Sequence, residues 1–156
     1  MKPVNIALVV ALLAAFAVLA ACGGDGSPLS KNDYRSRLAA LSQREGRAHA
    51  DLQKGLKAKD VAGLRTRLAR FADDQQTVGR QVAGFKAPKD AEAANRELAR
   101  GLRDTATEVR SLVARLKTVK TVKAALALLT KTQPRGGAEI DRALTKLRHQ
   151  GYTKSS

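Results

Sequence analysis

The feature that most constrains the fold is a stripe of apolar residues that recurs every three or four positions along most of the chain. It is most regular over residues 61–85, where steps of three and four alternate strictly: Val61, Leu64, Leu68, Phe71, Gln75, Val78, Val82 and Phe85. This spacing places side chains on one face of an α-helix and is typical of helices that pack side by side. Aromatic residues make up only 3% of the chain and Trp is absent, which argues against a β-sandwich. The sequence therefore predicts an all-α fold.

Local signals divide this stripe into successive helices. The first is predicted from Ser30 to about Lys57, because Ser30 and Asp33 have the spacing of an N-terminal capping box. Asp60 is the predicted cap of the second helix. Pro88 is expected to end that helix and to lie in the first turn of the third, since proline disfavours helix at the preceding residue but is tolerated in a first turn.

The fourth predicted helix covers residues 122–147 and is interrupted at residues 134–137 by Pro-Arg-Gly-Gly, so we expect a kinked helix or two nearly collinear pieces. Gly151 stands where a glycine commonly follows a helix. The boundary at residues 118–123 contains no Gly or Pro, but a turn is favoured there because an unbroken helix would overrun its partners. We predict an antiparallel up-down-up-down four-helix bundle over residues 30–152. Three long helices with a short C-terminal helix are the alternative.

The first 22 residues have the pattern of a secretion signal. A short basic start at residues 1–2 precedes an apolar run at residues 4–21, and the run closes with Leu-Ala-Ala-Cys at residues 19–22. This segment resembles a bacterial lipoprotein precursor, in which Leu-Ala-Ala-Cys is the lipobox recognised by signal peptidase II. The resemblance implies cleavage before Cys22 and covalent attachment of diacylglycerol to its thiol. Apart from that acyl lipid, no cofactor is expected.

The predicted organisation follows from this resemblance. It comprises a signal peptide over residues 1–21, a lipidated flexible tether over residues 22–29, the helical bundle, and a disordered tail over residues 153–156. The protein is thus expected at the extracytoplasmic face of the cell membrane. An uncleaved transmembrane helix over the same apolar run is the alternative. The rest of the chain resembles small, uncharacterised all-helical lipoproteins only at the level of pattern, and that resemblance implies no activity.

Positive charge is the most informative signal in the bundle. The chain has 29 Lys and Arg against 14 Asp and Glu, a formal net charge of +15. In the predicted topology, the first and third turns share the end away from the tether. The candidate polyanion-binding residues are six lysines near that end and one arginine on the basic stripe of the third helix: Lys54, Lys57, Lys59, Lys117, Lys120, Lys123 and Arg110. Anionic cell-wall polymer or anionic lipid headgroups would be the partner, whereas no nucleic-acid-binding motif is present. Alternatively, these cations only complement helix dipoles.

Polar residues also occupy positions on the apolar stripe: Glu45, Gln75, Asn95 and Thr105. They form either a small polar site inside the bundle or isolated polar positions that fix the register of the helices. Counting from the turns places Glu45 near the height of Thr105, and Gln75 near the height of Asn95.

Recognisable catalytic chemistry is scarce. Neither His49 nor His149 lies in the Glu-x-x-His pattern of a dinuclear metal bundle, so no metal site is predicted. We predict a non-enzymatic, membrane-anchored module for binding or interaction in the cell envelope. A ligand carrier or enzyme that uses the interior polar layer is an alternative, and a cavity lined by Glu45 and Gln75 would favour it over a dry interior. A subunit of a larger envelope assembly is a further alternative.

Overall fold

The computed structural model describes residues 27–56, 60–132 and 135–153. The predicted signal peptide and its anchor cysteine, Cys22, therefore lie outside the described residues, as do Lys57, Lys59 and residues 154–156. The helices are α1 (Lys31–Leu56), α2 (Val61–Ala83), α3 (Glu92–Arg115), α4 (Val122–Lys131) and α5 (Arg135–His149), with a single 3₁₀ turn (Leu116–Thr118) after α3. The described part of the chain contains no β-strand, which confirms the predicted all-α class.

Contacts between helix flanks define an antiparallel bundle. Arg44 of α1 pairs with Asp74 of α2 at 3.0 Å, and further along the same two helices Asp51 pairs with Arg67 at 2.9 Å. The same reversed order relates α2 to α3 and α3 to α5. The predicted up-down-up-down order is therefore observed, with the fourth position shared by α4 and α5.

The last two predicted boundaries are resolved in favour of separate helices. Val119 has an extended backbone, and the hydroxyl of Thr121 accepts a hydrogen bond from the amide of Ala124 at 3.3 Å, which caps α4. The possibility of one continuous helix through residues 118–123 is thus excluded. Thr132 is also extended (φ −110°, ψ 102°), so α4 stops there and α5 begins at Arg135.

Capping side chains explain most helix starts. The Ser30 hydroxyl accepts from the Asp33 amide at 3.1 Å, and an Asp60 carboxylate oxygen accepts from the Gly63 amide at 2.6 Å, as the sequence predicts. The third helix is different from the prediction. A turn closed by the Ala91 amide and the Pro88 carbonyl (2.8 Å) precedes it, so α3 begins at Glu92.

The end of α5 carries a left-handed glycine. Gly151 has φ +76°, and the amides of Gly151 and Tyr152 donate to the carbonyls of Arg148 (2.9 Å) and Leu147 (2.8 Å). This is a Schellman motif, which ends the helix and turns the chain back. The Tyr152 ring is thereby buried against Tyr34, with ring centroids 5.2 Å apart and nearly perpendicular planes. The C-terminal residues therefore hold the first turn of α1.

Apolar side chains form two clusters along the bundle. The cluster nearest the chain ends includes Tyr34, Leu38, Val78, Val82, Leu98, Leu102, Leu147 and Tyr152. The other includes Ala48, Leu64, Leu68, Phe71, Val109, Leu116 and Ala125. Leucine, valine and alanine dominate both clusters. None of the described helices is both long enough and apolar enough to cross a membrane.

Candidate functional site

The first and third interhelix turns lie at the same end of the molecule. Leu64 follows the first turn, Leu116 precedes the third and Ala125 follows it, and all three are buried in one apolar cluster. Four exposed lysines surround this end: Lys54, Lys117, Lys120 and Lys123. We call these four residues the basic end. Lys57 and Lys59, predicted to belong to it, lie outside the described residues.

The basic end lacks internal partners for its charges. None of its four lysines has a hydrogen bond or an ion pair with a residue that the structure describes. The Asp60 carboxylate, at the same end, caps α2 instead. Lysine ammonium groups are flexible point charges that attract phosphate or carboxylate groups without a fixed geometry. This arrangement can attract a polyanion but does not select one polyanion over another by its shape.

Arg110 differs from the four lysines with which it was grouped. Its guanidinium donates to a carboxylate oxygen of Asp73 at 3.0 Å and to the amide oxygen of Gln76 at 3.3 Å. It therefore lies on the α2–α3 flank, with its charge compensated. The ion pairs that the described residues form with one another likewise lie on the flanks of helices, five of them between two helices and one within α3.

Three of the four polar stripe residues belong to one layer. Gln75 is only 1% exposed and donates its side-chain amide to a Glu45 carboxylate oxygen. Thr105, 6% exposed, lies on α3 and lines the same cavity as these two residues.

Asn95 belongs to a different layer, so its expected pairing with Gln75 is wrong. The amide oxygen of Asn95 accepts from the Tyr34 hydroxyl at 3.0 Å, and its amide nitrogen donates to the Val82 carbonyl at 2.9 Å. Gln75 precedes Val82 by seven residues, which is about 10 Å along a helix. Asn95 therefore fixes the register of α1, α2 and α3 near the chain ends.

Burial changes the acidity of the interior groups. It raises the pKa of the Glu45 carboxyl, although the hydrogen bond from Gln75 and the charge of His49 act in the opposite direction. Burial also raises the pKa of Tyr34, with a smaller contribution from Tyr152. For Tyr152, burial and the hydrogen bond to Asp90 raise the pKa to about 12. Both tyrosines therefore stay protonated and act as hydrogen-bond donors.

A cavity of about 680 Å³ lies between α1 and the other helices. Every helix contributes an apolar side chain to its wall, for example Leu41, Phe71, Leu102, Leu129 and Leu144. The sequence did not predict this cavity. The only sequence signal for it was the pair of polar residues Glu45 and Gln75 on the apolar stripe, which were expected to line a cavity if the protein carried a ligand in its interior.

No group of three or more His, Cys, Asp or Glu in residues 27–56, 60–132 and 135–153 is placed to hold a metal ion. No known protein family, curated protein or solved structure matches the chain.

Proposed function

We propose that the chain is a lipid-anchored, non-enzymatic binding protein at the extracytoplasmic face of the membrane, and that its basic end contacts an anionic cell-wall polymer. The lipobox-like sequence supports the anchor at Cys22. Lys54, Lys117, Lys120 and Lys123 have no compensating partner among the residues that the structure describes, and this observation carries the binding proposal.

The proposed orientation follows from chain order. The tether precedes α1, so α1 leads away from the membrane. α1 has 26 residues and is therefore about 39 Å long. The basic end would then stand about that far from the lipid surface, well beyond a Debye length of about 8 Å at physiological ionic strength. Polymer outside the membrane is thus a better partner for it than the headgroups of the anchoring bilayer.

Dipole complementation accounts for the basic end only in part. Lys54 lies in the last turn of α1, where a cation is favoured. Lys123, however, lies in the first turn of α4, where the helix dipole disfavours positive charge. A lysine at that position is unfavourable for the isolated helix, so a role in contacting an anion is the better explanation.

The binding proposal is tested with a soluble form comprising residues 27–156, because both apolar clusters and the residues packed on them lie within residues 29–152. Its affinity for a polyphosphate-backbone wall polymer is measured across a salt series. We expect a Kd that rises steeply with salt, as expected when cations release bound counterions. Changing Lys117, Lys120 and Lys123 to Gln should weaken binding by about tenfold or more and flatten the salt dependence.

The matched control changes three exposed flank arginines, Arg70, Arg80 and Arg100, to Gln, which removes the same charge elsewhere. The control should retain most of the affinity. If both triple variants weaken binding equally, net charge rather than the basic end causes it, and the proposed contact is wrong. Binding to anionic vesicles but not to the polymer would assign lipid as the partner instead.

The anchor is tested separately with the full-length chain. A labelled fatty acid should be incorporated into the wild-type protein and not into a Cys22→Ala variant, which should leave the membrane fraction. A membrane-bound but unlabelled wild-type protein would instead support the uncleaved transmembrane helix.

A further inference from the structure

The interior cavity lies on one side of the bundle, between α1 and the rest of the molecule. α1 has its close backbone contacts with α2. It meets the end of α5 through its first turns, where the Lys31 ammonium donates to the Gln150 carbonyl at 3.0 Å and the Tyr34 and Tyr152 rings touch. Further along, Leu41 of α1 and Leu144 of α5 are only half-buried and face a shared space of about 680 Å³.

The size and walls of this space suit a small apolar molecule. Ligand sites in proteins commonly have volumes of about 300–1,000 Å³ and mostly apolar walls with a few polar groups. Leucine and valine side chains from α1, α2 and α3 form much of the apolar wall here, together with Phe71. A space of this size lined by apolar side chains loses packing contacts unless a molecule fills it.

The polar layer inside the cavity has unused hydrogen-bonding capacity. One Glu45 carboxylate oxygen is bonded to Gln75, but the other is buried and has no partner in the described structure. The Thr105 hydroxyl is likewise buried without a described partner. The Gln75 side-chain oxygen also accepts no hydrogen bond from a described residue. Buried polar groups normally find partners, so this cluster calls for a molecule that both donates and accepts.

We infer that the cavity is a second binding site, which takes a neutral, mostly apolar molecule bearing a hydroxyl group that pairs with the layer formed by Glu45, Gln75 and Thr105. A hydroxyl supplies a donor for the Glu45 or Gln75 oxygen and an acceptor for the Thr105 hydroxyl. The long apolar part of the molecule lies against the leucine walls. This activity goes beyond the proposed contact of the basic end and uses none of its lysines.

The same layer selects against an anionic headgroup. A second carboxylate next to Glu45 in an apolar cavity would face like-charge repulsion and a large desolvation cost. A neutral hydroxyl meets neither obstacle. The cavity wall also includes Arg148 and His49, so preference for a neutral ligand over an anionic one would place the polar group of the ligand at this layer and not at those two side chains.

The experiment is a calorimetric titration of residues 27–156 with 1-decanol, 1-methoxydecane and decanoate at about pH 8, where free decanoate is ionised. The three probes share a chain and differ in the polar group. We expect decanol to bind at least about tenfold more tightly than 1-methoxydecane, which lacks the donor, and than decanoate. In a Glu45→Gln variant, the gap between decanol and decanoate should shrink by about threefold or more, because the negative charge is gone.

A matched pair of variants locates the site. Leu41→Trp inserts a bulky ring into the cavity, whereas Leu128→Trp makes the same change at a half-buried leucine that does not line it. Leu41→Trp should weaken decanol binding by about tenfold or more, and Leu128→Trp should leave it unchanged. Circular dichroism establishes that each variant is helical, and Leu144→Trp replaces Leu41→Trp if the latter is not.

Several results would overturn the inference. Absence of decanol binding to the helical wild-type protein removes the site. Equal binding of decanol and 1-methoxydecane removes the role of the polar layer, and equal weakening by both Trp variants places binding outside the cavity. None of these outcomes affects the salt-dependent polymer binding of the basic end, so the two proposals fail independently.

Discussion

α5 has two neighbours in the bundle, and they pack against it very differently. Towards α3 the two backbones approach closely at Gly101 and Gly136, where a Cβ on Gly101 would lie 2.9 Å from the Gly136 carbonyl oxygen. Towards α1 the same helix is separated by the cavity along most of its length. The close approach on the α3 side is possible because neither Gly101 nor Gly136 carries a side chain.

The tight side also carries the better-compensated charges. Glu97 of α3 accepts from both Arg142 (3.2 Å) and Lys146 (2.6 Å) of α5. On the open side, Glu45 of α1 faces the cavity and has one oxygen without a described partner. A bundle held firmly on one side and loosely on the other can admit a ligand without losing its fold.

The largest expected effect on stability comes from adding a Cβ atom where α3 and α5 approach closely. In Gly136→Ala, the new Cβ would meet the Gly101 carbonyl oxygen and the Thr105 hydroxyl, 2.5 Å away from the latter. Backbone atoms cannot move aside cheaply, so we expect the free energy of unfolding to fall by about 3 kcal/mol. Urea denaturation followed by circular dichroism measures it.

The neighbouring glycine supplies the control. A Cβ on Gly137 would have nothing within 4 Å, so Gly137→Ala should be neutral or stabilise by up to about 1 kcal/mol. Equal destabilisation by the two substitutions would mean that α3 and α5 do not approach as closely as described.

A second prediction concerns the hydrogen bonds that hold the first turns of α1. In Tyr34→Phe, the Asn95 amide oxygen loses its donor in a buried setting, so stability should fall by about 1–2 kcal/mol. Tyr152→Phe removes a bond to the exposed Asp90 and should cost less. Chemical denaturation of both variants gives the comparison. A larger loss for Tyr152→Phe would place the main anchorage of α1 at the chain terminus instead.

The sequence was sufficient for the features that are local. Ser30, Asp60 and Gly151 each act within a few residues of their own position, and all three cap helices as predicted. The start of α3 was missed because the turn from Pro88 to Ala91 has no capping side chain to signal it.

Features that depend on the spacing between helices could not be read from the sequence. The pairing of Gln75 with Glu45 rather than Asn95 depends on how far two antiparallel helices slide along each other. The cavity depends on the distance between helix axes, which the contact of Gly101 with Gly136 controls on one side only. An apolar stripe specifies which face is buried, but not how completely the opposite helix fills the space.

A third prediction concerns the helix propensity of a residue in α1, the helix that borders the cavity. Gly46 lies within α1, and a Cβ there would have nothing within 4 Å. Gly46→Ala should therefore raise the free energy of unfolding by about 0.5–1 kcal/mol, since glycine is unfavourable inside a helix. Thermal unfolding measures this gain. A loss of stability would indicate that α1 packs more closely at Gly46 than described.

The smallest expected effect is on the pH dependence of stability. It concerns two glutamates, Glu97 at the α3–α5 contact and Glu45 at the cavity. Hydrogen bonds from Lys146, and secondarily Arg142, lower the pKa of Glu97, whereas burial raises the pKa of Glu45. The contribution of Glu97 is thus present above the pKa of an unfolded glutamate, about 4.3, and is lost as the pH falls. The contribution of Glu45 is present below that value and is lost as the pH rises through its raised pKa.

The two Gln variants should therefore respond to pH in opposite directions. Relative to the wild-type protein, Glu97→Gln should become less stable as the pH rises from about 3 to about 7, and Glu45→Gln more stable, each by under about 1 kcal/mol. Urea denaturation across that range measures both differences. Because Gln retains a side-chain oxygen that can accept from Gln75, the change at residue 45 reports mainly the charge. If stability changed with pH in the same way in both variants, the charge of Glu45 would be as well compensated as that of Glu97. The contrast between the two sides of α5 would then be one of packing alone.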